Sequence, residues 1–312
     1  MNNIICVVGP TASGKTKLAV ELAKAYDGEV LSCDSMQIYR RMDIGTAKPT
    51  VEEMQGIPHH MIDVVEPDEQ FSVSRYVEMA DSVLRDILAR GKRCIICGGT
   101  GLYVDSLIAG RTFAPYPETG KRQELERLAA EQGIEAVVAI LREHDPESAA
   151  RIDHANQKRI IRAAEVFLET GKTITQHNLE TQAVPAKYDP LWIGLDFTDR
   201  AELYARIDKR VDLMVQDGLL PEIEKLLAEG VPVHATSLQA IGYKEPMAAL
   251  RGEMTMAEAI EKIKTESRRY AKRQLTWFRR NPKINWVFNQ EPVTFAKIWA
   301  QVQRIMEFDS IS

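Results

Sequence analysis

The chain is predicted to be an α/β protein, a doubly wound parallel sheet of the P-loop type that carries a mostly helical insertion domain. Three observations predict it. Gly9-Pro10-Thr11-Ala12-Ser13-Gly14-Lys15-Thr16 fits the phosphate-loop pattern G-x-x-x-x-G-K-[ST], set between an apolar run and a helical pattern. Short apolar segments of β-rich composition recur along the chain, and longer helical patterns separate most of them. Between Thr112 and Pro190 that rhythm breaks, and little there has β character.

The first strand is Ile4-Ile5-Cys6-Val7-Val8, an unbroken apolar run that suits a strand covered on both faces. Past the glycine loop, Leu18, Leu22 and Ala25 recur at helical spacing over Lys17 to Ala25. Glu29–Ser32, Met61–Val65, Arg93–Cys97, Leu191–Leu195 and Ile284–Phe288 read as the further strands. Val73–Ala89 is a helix with Tyr76, Met79, Ala80, Val83, Leu84 and Ile87 on its apolar stripe. The interrupting stretch opens with Phe113-Ala114-Pro115-Tyr116-Pro117. It runs helical from Gly120 through Gln132 and from His144 to about Thr170, with one short strand expected at Ala136–Leu141. Pro185 and Pro190 mark its exit, and Pro115, Pro117 and Pro190 would suit hinges. From Asp199 the pattern is helical up to the last strand. The expected division is a core of residues 1–112 and 190–312, with 113–189 as the helical insertion.

A chain of 312 residues, 45% of them hydrophobic, can bury one large core or two modest ones. No apolar run approaches the ~20 residues that span a bilayer. The amino terminus enters the first strand almost at once, leaving no room for a targeting segment. A cytoplasmic protein acting as a monomer, with no membrane partner, is expected. Cys6, Cys33, Cys94 and Cys97 lie in apolar segments, and Cys94-Ile95-Ile96-Cys97 has no second cysteine pair or histidine cluster to make it a metal site. The six histidines, His59-His60 included, show no ligand spacing. A net charge of −5 argues against a polyanionic partner only if the charge is evenly spread.

It is not evenly spread. In Arg268-Arg269-Tyr270-Ala271-Lys272-Arg273-Gln274-Leu275-Thr276-Trp277-Phe278-Arg279-Arg280, a helix puts Ala271, Leu275 and Phe278 on one face. Arg269, Lys272, Arg273 and Arg280 fall on roughly the opposite one, with no acid among them, which favours a polyanion. Tyr270 and Trp277 flank the stripe and would pack or stack on bases. Lys158, Arg159 and Arg162 form a smaller cluster in the insertion.

The phosphate loop directs backbone N–H groups at a phosphate, Lys15 adds a cation and Thr16 a hydroxyl for Mg²⁺. Asp34, in Cys33-Asp34-Ser35-Met36-Gln37-Ile38-Tyr39-Arg40, falls beyond a strand's carboxyl end, where open α/β sheets bind ligands. A carboxylate there holds Mg²⁺, serves as a general base, or simply caps the turn. Arg40 and Arg41 follow it as phosphate contacts or solvated charges. Cys97-Gly98-Gly99-Thr100-Gly101-Leu102-Tyr103 offers close backbone approach and a hydroxyl in the same crevice, although a plain strand–helix turn has the same spacing. The acid that would end this strand in a nucleotide hydrolase is missing, as is any Asn-Lys-x-Asp guanine-binding element. Both absences weaken an NTPase or GTPase reading.

Together with Ala240-Ile241-Gly242-Tyr243-Lys244-Glu245 and Tyr270–Trp277, these motifs in this order resemble the bacterial tRNA dimethylallyltransferase (tRNA isopentenyltransferase) family, from about residue 4 to about residue 288. The resemblance implies transfer of a dimethylallyl group from dimethylallyl diphosphate to the exocyclic amine of the adenosine 3′ of the anticodon in tRNA. It implies that Gly9, Pro10, Thr11, Ala12, Ser13, Gly14, Lys15 and Thr16 hold the diphosphate, with Mg²⁺ at Thr16. Asp34 then matches the base and Thr100 the positioning hydroxyl. Lys15 and Arg210, the latter preferred to Arg206, attend the leaving group. Asp34, Ser35, Met36, Gln37 and Thr100 are implied to touch the anticodon stem-loop, as are Lys158, Arg159, Ile160, Ile161 and Arg162. The basic stripe Arg269, Lys272, Arg273 and Arg280 suits the same partner. The target base must flip out of its stack to reach a crevice. Eukaryotic relatives append a Cys/His zinc finger, and its absence here favours a bacterial enzyme. The rivals are an adenylate isopentenyltransferase, a P-loop small-molecule kinase and a non-enzymatic RNA-binding module.

Overall fold

The computed structural model describes residues 2–111, 119–176, 185–289 and 293–311, and the chain divides into two compact units. The first unit is Met1–Gly110 with Tyr188–Ser312, and the second is Arg111–Lys187. The dividing points fall beside the expected 112/113 and 189/190. Phe113–Pro117, with the hinge candidates Pro115 and Pro117, lies outside the described residues; Pro190 is buried directly before a strand.

The first unit is built on strands β1 (Ile4–Val8), β2 (Gly28–Ser32), β3 (His59–His60), β4 (Arg93–Gly98), β5 (Leu191–Phe197) and β6 (Asn285–Asn289). They form one sheet in the order β3-β2-β4-β1-β5-β6, with every pairing parallel. Val8 lies beside both Gly98 and Gly194, and Ser32 beside Cys97, so four strands deliver their following loops to one edge of the sheet. The predicted strand Met61–Val65 does not form. Met61 and Asp63 take φ of 60° and 55°, which breaks an extended run, and only His59–His60 pairs with β2 while Val65 bridges Tyr39.

Helices α1 (Lys15–Ala25), α2 (Val51–Met54), α3 (Val73–Ala89) and α4 (Gly101–Ala109) fill the first half of this unit. Leu18 and Leu22 of α1 pack on Ile5, Val7, Ile95 and Leu195, each such burial contributing about 1.5–3 kcal/mol. On α3 and α4 the Tyr76 and Tyr103 rings stack at 4.2 Å. The second unit contains α5 (Lys121–Gln132), α6 (Ile134–His144), α7 (Pro146–Arg151) and α8 (Gln157–Thr170). Its core gathers Leu125, Val137, Val138, Leu141, Ile160 and Ile161. The strand expected at Ala136–Leu141 is therefore helix α6. Val137, Val138 and Leu141 are one and four positions apart, a helical face, and burial of that face overrides the β preference of the valines.

After β5, the first unit continues with α9 (Arg200–Gln216), α10 (Leu219–Ala228), α11 (Lys244–Leu250) and α12 (Met256–Phe278), then α13 (Phe295–Ile311) beyond β6. Thr255 and Glu258 close a reciprocal capping box at the start of α12, and Asp199 caps α9. A second core joins Tyr39 and Val65 to Val211, Ile223 and Ile263 from these helices and to Tyr243, the residue before α11. Among the described residues, no helix is long and apolar enough to cross a membrane.

Candidate functional site

The phosphate loop leaves β1 at the sheet edge where the strands end. Gly9 has φ +146°, and a Cβ there would sit 2.5 Å from the Leu195 carbonyl oxygen, so glycine is what lets the loop pass β5. Gly14, at φ +90°, turns the chain into α1. Lys15 Nζ donates to the Pro10 carbonyl at 2.6 Å. Removal from water pulls its ammonium down to about 8, with Arg210 adding to the effect and Asp34 opposing it. Ser13 Oγ is buried with no partner among the described residues, and Thr16 stands half-buried in the first turn of α1.

Asp34 follows β2. Its Oδ1 accepts from the N–H groups of Met36 (2.8 Å) and Gln37 (3.3 Å), while Oδ2 has no hydrogen-bond partner among the described residues. Thr100 Oγ1 accepts from the Ser35 N–H at 3.1 Å and donates to Ser35 Oγ at 3.4 Å, so it holds the turn that aims Asp34. Close crossing of the two strand exits demands Gly98, where a Cβ would lie 2.2 Å from the Cys33 carbonyl oxygen.

Asp34 and Thr11 open on a cavity of about 320 Å³. Its polar lining adds Thr46, Arg210, Tyr270 and Arg273, and its apolar lining includes Ile207, Val211, Met214, Ile241 and Ile263. Arg210 donates to Thr11 Oγ1 at 3.1 Å and to the Ala47 carbonyl at 3.4 Å; burial lowers its pKa, opposed by Asp34. Arg206 also reaches the loop, at the Ala12 carbonyl (3.1 Å), but lies exposed over the Phe197 ring and outside the cavity lining. Burial, followed by the Asp34 charge, pushes the Tyr270 phenol up to about 12.

Three residues that sequence reasoning missed shape this cavity. Gln274 accepts from the Thr11 N–H at 2.8 Å and donates to the Gly99 carbonyl at 3.0 Å. Glu222 accepts from the backbone N–H groups of Asp43, Ile44 and Gly45, at 2.8, 2.7 and 3.1 Å, and from Tyr243 Oη at 2.6 Å. It thereby fixes the wall that carries Gly45 and Thr46. The signal for Gln274 was its place four residues after Tyr270, on the same helix face. Tyr243 lies within the Ala240–Glu245 motif, which gives it no role by itself, and Glu222 has no local signal.

The expected polyanion contacts divide. Ser35 and Met36 line the cavity, whereas the Gln37 amide faces inward to Ser32 Oγ and the Ala47 carbonyl. Lys272 and Arg273 are exposed, Arg273 lying over the Tyr270 ring and Arg280 over the Trp277 ring at 4.1 Å. Trp277 also donates to Asp105 at 2.8 Å, so it packs and presents a face at once. The basic stripe is not free of acid, because Glu266, three residues before Arg269, binds it at 2.7 Å. In the second unit Lys158 and Arg159 are exposed and Arg162 pairs with Glu165 at 2.8 Å. Ile160 and Ile161 are core residues there, so as side-chain contacts to a partner they are corrected: helix periodicity turns both inward. No group of three or more His, Cys, Asp or Glu able to hold a metal exists among the described residues.

Residues 37–281 match the family model described as IPP transferase. The tRNA dimethylallyltransferase of Caldanaerobacter subterraneus subsp. tengcongensis is 47% identical over 297 residues, 95% of this chain and 94% of the relative. The crystal structure of a tRNA delta(2)-isopentenylpyrophosphate transferase from Staphylococcus epidermidis is 42% identical, with a TM-score of 0.70 over 97% of this chain and 98% of its own. A eukaryotic dimethylallyltransferase acting on tRNA has a TM-score of 0.82 at 28% identity, over 99% of this chain and 79% of its own.

Proposed function

We infer the reaction from two facts: the chain belongs to the IPP transferase family, and its phosphate loop and Asp34 open on one cavity. The protein transfers a dimethylallyl group from dimethylallyl diphosphate to the exocyclic amine of the adenosine 3′ of the anticodon in tRNA, releasing diphosphate. The observation that carries this reading is that a half-satisfied carboxylate and a cation-bearing phosphate loop meet at one cavity. Thr11 of the loop, Arg210 bound to it and Asp34, with Oδ2 uncommitted among the described residues, all line it, and Lys15 stands on the same loop.

The amine nitrogen attacks the first carbon of the prenyl group while that carbon's bond to the diphosphate oxygen breaks. Negative charge grows on the departing oxygens, where the loop N–H groups, Lys15 and Arg210 stabilise it. The adenine amine is a poor nucleophile because its lone pair is shared with the ring. It becomes competent as its proton passes to Asp34 Oδ2. Thr100 keeps Asp34 aimed by holding Ser35, and the apolar lining residues of the cavity suit the prenyl carbons. The buried Ser13 hydroxyl, without a partner among the described residues, and the half-buried Thr16 hydroxyl suit a Mg²⁺ site: Thr16 would hold the ion, which would supply further neutralisation of the leaving group's charge.

Exposed Lys272, Arg273, Lys158 and Arg159 supply contacts to RNA phosphates, and the Trp277 and Tyr270 rings supply faces for stacking. We place the protein in the cytoplasm, as a monomer. The test is incubation of purified protein with labelled dimethylallyl diphosphate and unmodified tRNA, AMP or ATP in parallel. Label on the adenosine 3′ of the anticodon is expected; label in AMP and not in tRNA would overturn the reading.

A further inference from the structure

Gln274 is 5% exposed and ties two distant loops together through its amide, Oε1 accepting from the Thr11 N–H and Nε2 donating to the Gly99 carbonyl, while it also meets the Tyr270 phenol one helical turn before it. The partners lie 263 and 175 residues away along the chain, and a planar amide fixes them relative to one another. Each loop has a function nearby. Thr11 Oγ1 receives Arg210, and Thr100, next to Gly99, holds the Ser35 turn that aims Asp34.

We propose that Gln274 is a positioning residue that sets the diphosphate-binding geometry of the phosphate loop by locking it to the Gly99–Thr100 loop. This rests on the reaction inferred above. Gly99 is the other half of the device. Its backbone is not in the left-handed region, and a Cβ on it would meet Gln274 first, 2.0 Å from Nε2 and 3.1 Å from Cδ, with the next atom, the Gly9 carbonyl oxygen, at 3.6 Å. Alanine at 99 would therefore push the Gln274 amide out of its place while meeting no other atom closer than 3.6 Å. Glutamate at 274 would still accept from Thr11 but would turn a second oxygen on the Gly99 carbonyl.

The experiment is a double-mutant cycle on the full chain. It reads the KM for dimethylallyl diphosphate, kcat, inhibition by inorganic diphosphate together with its calorimetric Kd, which needs no turnover, and the Kd for an anticodon stem-loop. Gln274→Ala is expected to raise the donor KM and the diphosphate inhibition constant about tenfold, as loss of a hydrogen bond that fixes a charge-binding loop does. The stem-loop Kd is expected to stay within about twofold, and Gln274→Glu to bind diphosphate no better than Gln274→Ala. Gly99→Ala in the natural background is expected to reproduce the donor defect, yet add less than about twofold in the Gln274→Ala background, because the clash is gone. A lower kcat at unchanged KM and inhibition constant in Gln274→Ala overturns the proposal. So does equal cost of Gly99→Ala in both backgrounds. Diphosphate binding can be read without prenyl transfer. Failure of the natural protein to modify tRNA would therefore count against the reaction, while the cycle still decides the role of Gln274.

Discussion

Two carboxylates, one within β2 and one just past its end, have opposite fates. Glu29, within the strand, is buried and fully engaged: Arg90 grips both oxygens, and His60 Nε2 lies 2.7 Å from one of them. The Arg90 hydrogen bonds hold its carboxyl down at about 2 against the cost of burial, with His60 assisting. Asp34, two residues past the strand, spends one oxygen on backbone N–H groups and leaves the other toward the cavity. Both charges sit on the same scaffold, but only the second has coordination to spare. Saturated polar groups hold the fold; unsaturated ones, placed by saturated neighbours, are where a substrate can enter.

That contrast predicts a separation of effects. The largest belongs to Asp34→Ala, expected to lower prenyl transfer about 10³-fold while leaving tRNA affinity within a few fold. Single-turnover rates beside a tRNA binding curve check this, and a near-normal rate would remove Asp34 as the base.

Glu29→Gln should do the reverse, costing about 1.5–3 kcal/mol of stability in denaturant unfolding while the folded enzyme keeps its turnover. The acid response follows the same logic. A carboxyl lowered from 4.5 to about 2 on folding contributes stability that is complete above 4.5 and is lost as pH falls from there toward 2. The Gln variant should lose that part of the acid sensitivity, and an unchanged pH–stability curve would mean that the Arg90–His60 clasp is slack.

Smaller again is Arg273→Ala, at the mouth of the cavity. It should weaken tRNA binding several-fold and flatten the plot of log affinity against log salt by ~0.7–0.9. An unaltered slope would take Arg273 off the phosphate path.

Why some of this was legible in the sequence and some not follows from how far apart the partners are. Gly9 and Gly14 announce themselves because the loop needs backbone that only glycine supplies cheaply, and Lys15 sits at a fixed spacing from them. Val73–Ala89 was readable to the residue, its periodicity ending where its caps begin. Ala136–Leu141 misled because two adjacent valines look like strand, while their partners Leu125 and Ile160 come from other helices. Met61–Val65 failed on two left-handed residues that composition does not encode. In the site, Asp34 and Thr100 could be named from their loops. Gln274 and the Glu222–Tyr243 pair act on backbone far away in sequence, and only the fold brings those loops to them.

Calorimetric titration of dimethylallyl diphosphate and of ATP, each into the natural protein and into Lys15→Ala, is the most direct test of the half-saturated end of the sheet as a cradle for a departing diphosphate. Dimethylallyl diphosphate should bind the natural protein more tightly than ATP, and Lys15→Ala should lose about tenfold or more of that affinity. Tighter binding of ATP, with the prenyl donor indifferent to Lys15, would contradict it.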